Sequence, residues 1–211
     1  MANKKIVIVG FLIAVVVALG TTILLFNNSN KKAQKIYVYG QDVVCDKGPD
    51  MTCRNSDNEP VTGKVVKYFE NSKKVKLEHG IKDGKSDGLG KIYDVTGKLL
   101  YEANYENGKP NGLVKHYYGN GKLKVEYSYK NGKQDGLTKR YSENGNLEEE
   151  ANYKDGKQEG IERIYFKNGS LFSESNYKNG NRDGKYVEYD HAGLVVYESV
   201  YKNGKEIKVI K

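Results

Sequence analysis

Tryptophan is absent from the 211 residues, proline occurs 3 times, histidine 3 times and cysteine twice. The apolar share, 37%, is low for a packed globule and argues for a thin or extended body. Arginine-rich runs and base-stacking motifs are missing, so no nucleic-acid partner is expected. What is abundant is glycine, at 24, and tyrosine, at 18, with 29% charged residues. That mixture suits strands separated by tight turns and leaves few helices. With Lys4 and Lys5 set aside, 33 basic residues face 27 acidic ones, a net +6, and the two signs are interspersed as on a solvated surface.

One long apolar run breaks this pattern. Ile6 to Phe26 is an uncharged stretch of 21 residues, preceded by a basic flank over 1–5. As a helix it would reach roughly 30 Å, enough for a bilayer. A cleaved signal peptide is the alternative, with Ala18-Leu19-Gly20 as a small-x-small site. The run continues through Ile23, Leu24, Leu25 and Phe26, further than a signal core needs, which favours an anchor. Residues 27–57 read as a linker containing Cys45 and Cys53. In an exported protein the pair is expected to form a small disulfide clip, with unpaired thiols as the alternative.

The rest of the chain repeats with a period of 24 residues. Turn glycines fall at Gly84, Gly108, Gly132, Gly156, Gly180 and Gly204, and a second glycine follows each of the first five at Gly88, Gly112, Gly136, Gly160 and Gly184. A third column runs Gly97, Gly121, Gly145, Gly169 and Gly193. Tyrosines keep the step at Tyr93, Tyr117, Tyr141, Tyr165 and Tyr189 and at Tyr105, Tyr129, Tyr153, Tyr177 and Tyr201. Glutamates keep it from Glu78 and Glu102 to Glu174 and Glu198.

Each unit reads as two strands closed by Asn-Gly or Asp-Gly, the dipeptides that supply positive φ to tight hairpins. Alternation places Leu123, Val125, Tyr127 and Tyr129 on one face and Lys124, Glu126 and Ser128 on the other. The tyrosine face is expected to form the core by stacking of neighbouring units. The glutamates should pair across strands with lysine and arginine. The fold class is therefore all-β, an elongated antiparallel meander of about six hairpins over 58–211, advancing about 10 Å per unit, preceded by one N-terminal transmembrane or signal helix.

The pattern G-x-x-x-x-Y-x-x-x-G-x-L-x-x-E-x-x-Y-x-x-G-K-x-x-G, fullest at 112–136, resembles the bacterial variant of the MORN repeat, the type found in YwqK-like antitoxin-family proteins. The resemblance covers about 58–208. The first copy departs from it, with one extra residue between Gly63 and Gly88 and Ser72 near the usual glycine. It reads as an N-terminal cap.

The phosphate-loop look of "GIKDGKS" at 80–86 is a repeat column instead: its glycines are four apart where a P-loop needs five. His79, His116 and His191 share no spacing that would set them on one metal and read as surface residues. No nucleophile motif occurs, so neither an enzyme nor a cofactor is expected. Partner contacts are expected where the copies differ, at His116, Tyr118, Phe166 and Tyr186. The expected function is a membrane-anchored scaffold, its repeats outside the cytoplasm, binding a protein or an envelope component. The resemblance implies two alternatives, an antitoxin-like protein that neutralises a toxin by binding it and a lipid-surface module.

Overall fold

The structure, a computed structural model, describes residues 24–25, 34–45 and 52–211. The N-terminal helix expected over 6–26 lies outside these residues except at its end, where Leu24–Leu25 (β1) are strand rather than helix and pair antiparallel with Gln34–Val38 (β2). Among the described residues no helix is long and apolar enough to cross a membrane. Parts of the stretch read as linker are also strands: Val43–Cys45 (β3) and Cys53–Asn55 (β4) form a separate antiparallel pair in which the two cysteines face each other and are joined by a disulfide. β2 then lies parallel to Gly63–Tyr68 (β5), so the sheet is antiparallel everywhere among the described strands except at this one pairing.

From β5 onward the chain is a regular meander. Its strands are Val75–Lys82 (β6), Lys85–Tyr93 (β7), Leu99–Glu106 (β8), Lys109–Tyr117 (β9), Leu123–Lys130 (β10), Lys133–Gln134 (β11), Gly136–Tyr141 (β12), Leu147–Lys154 (β13), Lys157–Tyr165 (β14), Leu171–Lys178 (β15), Asn181–Tyr189 (β16), Val195–Lys202 (β17) and Lys205–Val209 (β18). Sequence neighbours are sheet neighbours except that β11 and β12 both pair with β10, and with β1 and β2 the whole makes a 16-stranded sheet.

Six two-residue turns close the hairpins. In each, Asn or Asp holds φ between 49° and 52° and the following glycine between 79° and 87°, the primed-turn geometry that matches strand twist. The opposite ends close with longer loops in which only the glycine, as at Gly121 (86°) or Gly145 (91°), has positive φ. The extra residue of the first copy sits in the corresponding loop between Phe69 and Lys74, where Asn71 (54°) supplies the left-handed position instead of glycine.

Alternation divides the sheet as expected. One side carries Val125, Tyr127 and Tyr129 and the other the glutamate column; Leu123, expected with Val125, instead pairs beyond a bulge with Tyr117 of the glutamate side. The tyrosines, however, are not the buried core. Those of the two repeat columns are half-buried, and the residues that lose all or nearly all exposure are mostly small ones in the middle of the strands, Ala103 (0%), Ala151 (0%), Ser175 (1%) and Ser199 (0%), joined by Val114 (5%) and Val187 (4%). The reason is that the array is a single layer. With no second sheet above it, a large ring projects beyond its neighbours while a methyl or hydroxymethyl group is covered by them.

A true apolar cluster exists only at the N-terminal end among the described residues. Tyr37, Val43, Cys45, Cys53, Val61, Val65 and Ile81 pack together, with Tyr39 against them. The β3–β4 pair thus caps the first strands of the sheet on the tyrosine side. Its backbone is tied to the first turn, Cys53 N–H donating to the Gly84 carbonyl at 2.6 Å and Gly84 N–H to Val61 at 2.8 Å.

Candidate interaction surface

The charged side of the sheet is built from one row. Read across the strands, Glu78, Lys91, Glu102, Lys115, Glu126, Lys139, Glu150, Arg163 and Glu174 are successive cross-strand partners, strictly alternating in sign. The row ends its alternation at Val187. Arg163 reaches both neighbours, Glu150 at 3.3 Å and Glu174 at 2.8 Å, and Lys115 lies 3.9 Å from Glu102 and 3.5 Å from Glu126. The tyrosine column on this side donates to the glutamate of the previous unit: Tyr93 to Glu78 at 2.7 Å, Tyr117 to Glu102 at 2.7 Å and Tyr165 to Glu150 at 2.9 Å.

These contacts set protonation. Burial alone would raise the Glu78 carboxyl, but Lys64 and the Tyr93 hydroxyl hold it below the usual carboxylate range. Burial, and then donation to a carboxylate, pushes the Tyr93 and Tyr117 phenols up to about 12. The side is therefore a patterned surface in which carboxylates, cations and phenols hold one another in place.

Beside the charged row runs an apolar one. Leu89, Leu113 and Leu137 are 44%, 41% and 36% exposed, one per unit, and each is followed across the strand by Asn104, Ser128 or Asn152. The opposite side carries a different series, in which Tyr105 faces Pro110, Tyr129 faces Gln134, Tyr153 faces Gln158 and Tyr177 faces Arg182.

The rims are knitted from unit to unit. At the primed turns the glycine N–H of one unit donates to a carbonyl of the previous one: Gly108 to Ser86, Gly132 to Pro110 and Gly156 to Gln134, all at 2.8 Å. The residue before each second glycine accepts from the next turn, as Asp135 does from Asp155 N–H (3.3 Å) and Glu159 from Asn179 N–H (2.7 Å). Lys154 beside Asp135 and Lys202 beside Asp183 hold those carboxyls below their ordinary range. At the other rim Lys98 donates to the Gly119 carbonyl and Lys122 to that of Asn144, both at 2.7 Å.

The four residues expected to contact a partner do not converge. His116 lies near the end of β9 on the tyrosine side between Tyr101 (ring centroids 4.9 Å) and Tyr127 (6.0 Å), its basicity lowered by burial and then by Lys124. Tyr186 is on the same side but 9% exposed, covered by the Arg182 guanidinium 4.6 Å above its ring, so it offers a partner almost no surface. Tyr118 and Phe166 sit at the long-loop rim, two units apart. Tyr118 donates to the Tyr141 carbonyl at 2.8 Å, and Phe166 stacks on His191 at 4.0 Å and against Phe172 at 5.1 Å. Phe166 also lines a shallow depression of about 400 Å³ with Ser142, Asn146, Ile164, Tyr165 and Lys167. His79, read as a surface residue, is 6% exposed and buried instead. Among the described residues no group of three His, Cys, Asp or Glu side chains could hold a metal ion.

The spacing of these columns is matched by a known sequence family. The MORN repeat variant matches residues 86–107, 110–131, 134–155 and 158–179, four tandem segments stepping by the same 24 residues. Residues 86–179 are a run of four MORN repeat variants. No curated protein matches the chain. The antiparallel pairing runs past the matched segments on both sides, through β5 and β6 with their longer loop and through β16 to β18 with the repeat's own turns. The MORN-variant unit supplies the Gly, Tyr and Glu columns; it leaves open what binds to them.

Sequence reasoning passed over two features of this surface. The leucine row and the Asp, Asn or Glu before each second glycine both recur every 24 residues, so the self-alignment contains them. Their roles depend on which side chain or N–H lies across the next strand, which the alignment does not contain.

Proposed function

We propose that the chain is a non-enzymatic scaffold, anchored to a membrane by its N-terminal apolar run, whose MORN-variant sheet binds a protein or envelope partner outside the cytoplasm. The observation that carries this reading is the exposed leucine row at Leu89, Leu113 and Leu137, which a single-layer sheet presents in register beside a fixed pattern of charge. Burying one such side chain in an interface contributes on the order of 1 to 2 kcal/mol, and repetition along the sheet adds these contributions along one line. The Cys45–Cys53 bond supports an oxidising compartment.

Photo-crosslinking residues placed singly at Leu113 and Leu137 in living cells, combined with protease treatment of intact and permeabilised cells, test the reading. It predicts a discrete crosslinked species from both positions and digestion of the repeats from outside. Repeats resistant to protease until the cells are permeabilised, with no crosslink from either position, would refute it.

A further inference from the structure

The middle of the tyrosine side is a row that passes from strand to strand through Val65, His79, Gly90, Ala103, Val114 and Tyr127. In the repeat column of His79 the later copies place Ala103, Tyr127, Ala151, Ser175 and Ser199, and in the column of Gly90 they place Val114, Thr138, Glu162 and Tyr186. The first unit has therefore exchanged sizes. It puts an imidazole where three of the next four copies put a small residue, and removes the side chain opposite. The two changes fit each other, because a Cβ on Gly90 would lie 2.3 Å from His79 Nδ1 and one of the two would have to shift.

The imidazole fills the slot left by Gly90 and meets the Tyr105 ring edge-on at 4.7 Å. Its Nε2 is buried with no hydrogen-bond partner. An unpartnered buried nitrogen costs on the order of 1 to 3 kcal/mol, and an alanine here would avoid the cost. The position matters too, since His79 is cross-strand partner to Val65, a member of the cap's apolar cluster. It stands where the capped end of the sheet becomes the open array.

Among the described residues no carboxylate contributes to the environment of this imidazole. On the same side, β5 contributes Val65 and Lys67, β2 contributes Lys35, β7 contributes Ser86 and Ile92, β8 contributes Tyr101 and Tyr105, and β9 contributes His116 beside Tyr101. Lys35 and Lys67 stand over the Tyr37 and Tyr39 rings at 5.0 and 4.4 Å. The nearest carboxylate in sequence, Glu78, points to the other side, where Lys64 and Tyr93 hold it. Burial lowers the His79 pKa to about 4 from an ordinary 6.5.

We propose that His79 is a pH-sensitive joint: acidification protonates it, expels the imidazole from the Gly90 slot and loosens the cap from the array. The sign follows from linkage. The neutral form is the folded form, so the stability of the joint is full above about pH 6.5 and is lost progressively as pH falls towards about 4. The C-terminal units have no histidine in this column and keep their packing.

Hydrogen exchange of the full chain at pH 7 and pH 5, corrected for intrinsic rates, tests the joint. The expected result is about tenfold weaker protection of β5 to β7 at pH 5, with β13 to β16 unchanged, and loss of that difference in His79→Ala. Equal pH dependence in wild type and His79→Ala would overturn the proposal. Should the variant not fold, the proton titration of the His79 imidazole in the wild-type chain by NMR decides the matter. A midpoint well below 6 accompanied by opening supports the joint, and a midpoint near 6.5 with unchanged protection contradicts it.

Discussion

The cap and the array solve the same problem by different means. The cap buries Val43, Val61, Val65 and Ile81 against a disulfide, each 5% exposed or less, in the manner of a small globular core. The array has no such cluster among its described residues. Its most deeply buried groups are alanines and serines with isolated valines at Val114 and Val187, and what joins one unit to the next is backbone pairing, the turn-to-carbonyl bonds at both rims and the alternating charged row. A thin sheet can be stable in this way because every contact is with a near neighbour and each is repeated. The comparison predicts that damage to the cap is costly and that damage to one unit is modest and local.

The largest effect should come from the cap. Ile81→Ala removes a 3% exposed side chain from its cluster and should destabilise by about 2 to 5 kcal/mol in chemical denaturation. Replacing Cys45 and Cys53 by serine opens a loop with a sequence separation of 8 and should cost about 2 to 3 kcal/mol, read as lost exchange protection in β3 to β6 but not in β13 to β16. Within the array the most sensitive single position is a turn glycine. At Gly156, φ is +84° and no atom lies within 4 Å of the position a methyl group would take, so Gly156→Ala isolates backbone strain and should cost about 1 to 2 kcal/mol. Arg163→Met in the charged row should cost less than about 1 kcal/mol, and less still in high salt. Leu113→Ala should change stability by under about 0.5 kcal/mol while weakening partner capture, which separates its surface role from a folding one.

The charged row also makes a pH prediction. The Glu78 carboxyl is held low by Lys64 and Tyr93, so its contribution is present above the ordinary carboxylate value of 4.5 and is lost as pH falls through the depressed folded value. Glu78→Gln should flatten the acid limb of the stability profile below about pH 4.5, at the lower end of the range over which His79 acts.

How much of this was legible in the sequence depends on the distance over which each residue acts. The primed turns were legible because Asn131-Gly132 and its copies fix their own φ values, whatever surrounds them. The Glu to Lys pairing was legible because strand parity and hairpin length set the register together. The two tyrosine columns were harder. Tyr105 and Tyr117 are one strand apart and lie on opposite sides of the sheet, because the two-residue turn pairs odd-numbered positions of β8 with even-numbered positions of β9, Tyr105 with Pro110 and Ala103 with Val114. Of the cap only the Cys45–Cys53 bond was legible, since three-residue strands such as Val43–Cys45 carry too little pattern to reveal their partner, and a parallel β2–β5 pairing leaves no turn signal. The burial of His79 depended on Gly90 lying across from it, a fact of register that neither residue announces alone.

The most direct test of the account is to delete residues 134–157, one whole unit, and measure denaturant unfolding. Joining Lys133 to Gln158 keeps every column in step. A sheet held together neighbour by neighbour should remain folded, with its m-value reduced in proportion to the lost surface and the cap's disulfide and exchange protection unchanged. Unfolding of the whole chain, cap included, would show that the array depends on long-range packing and would contradict the account.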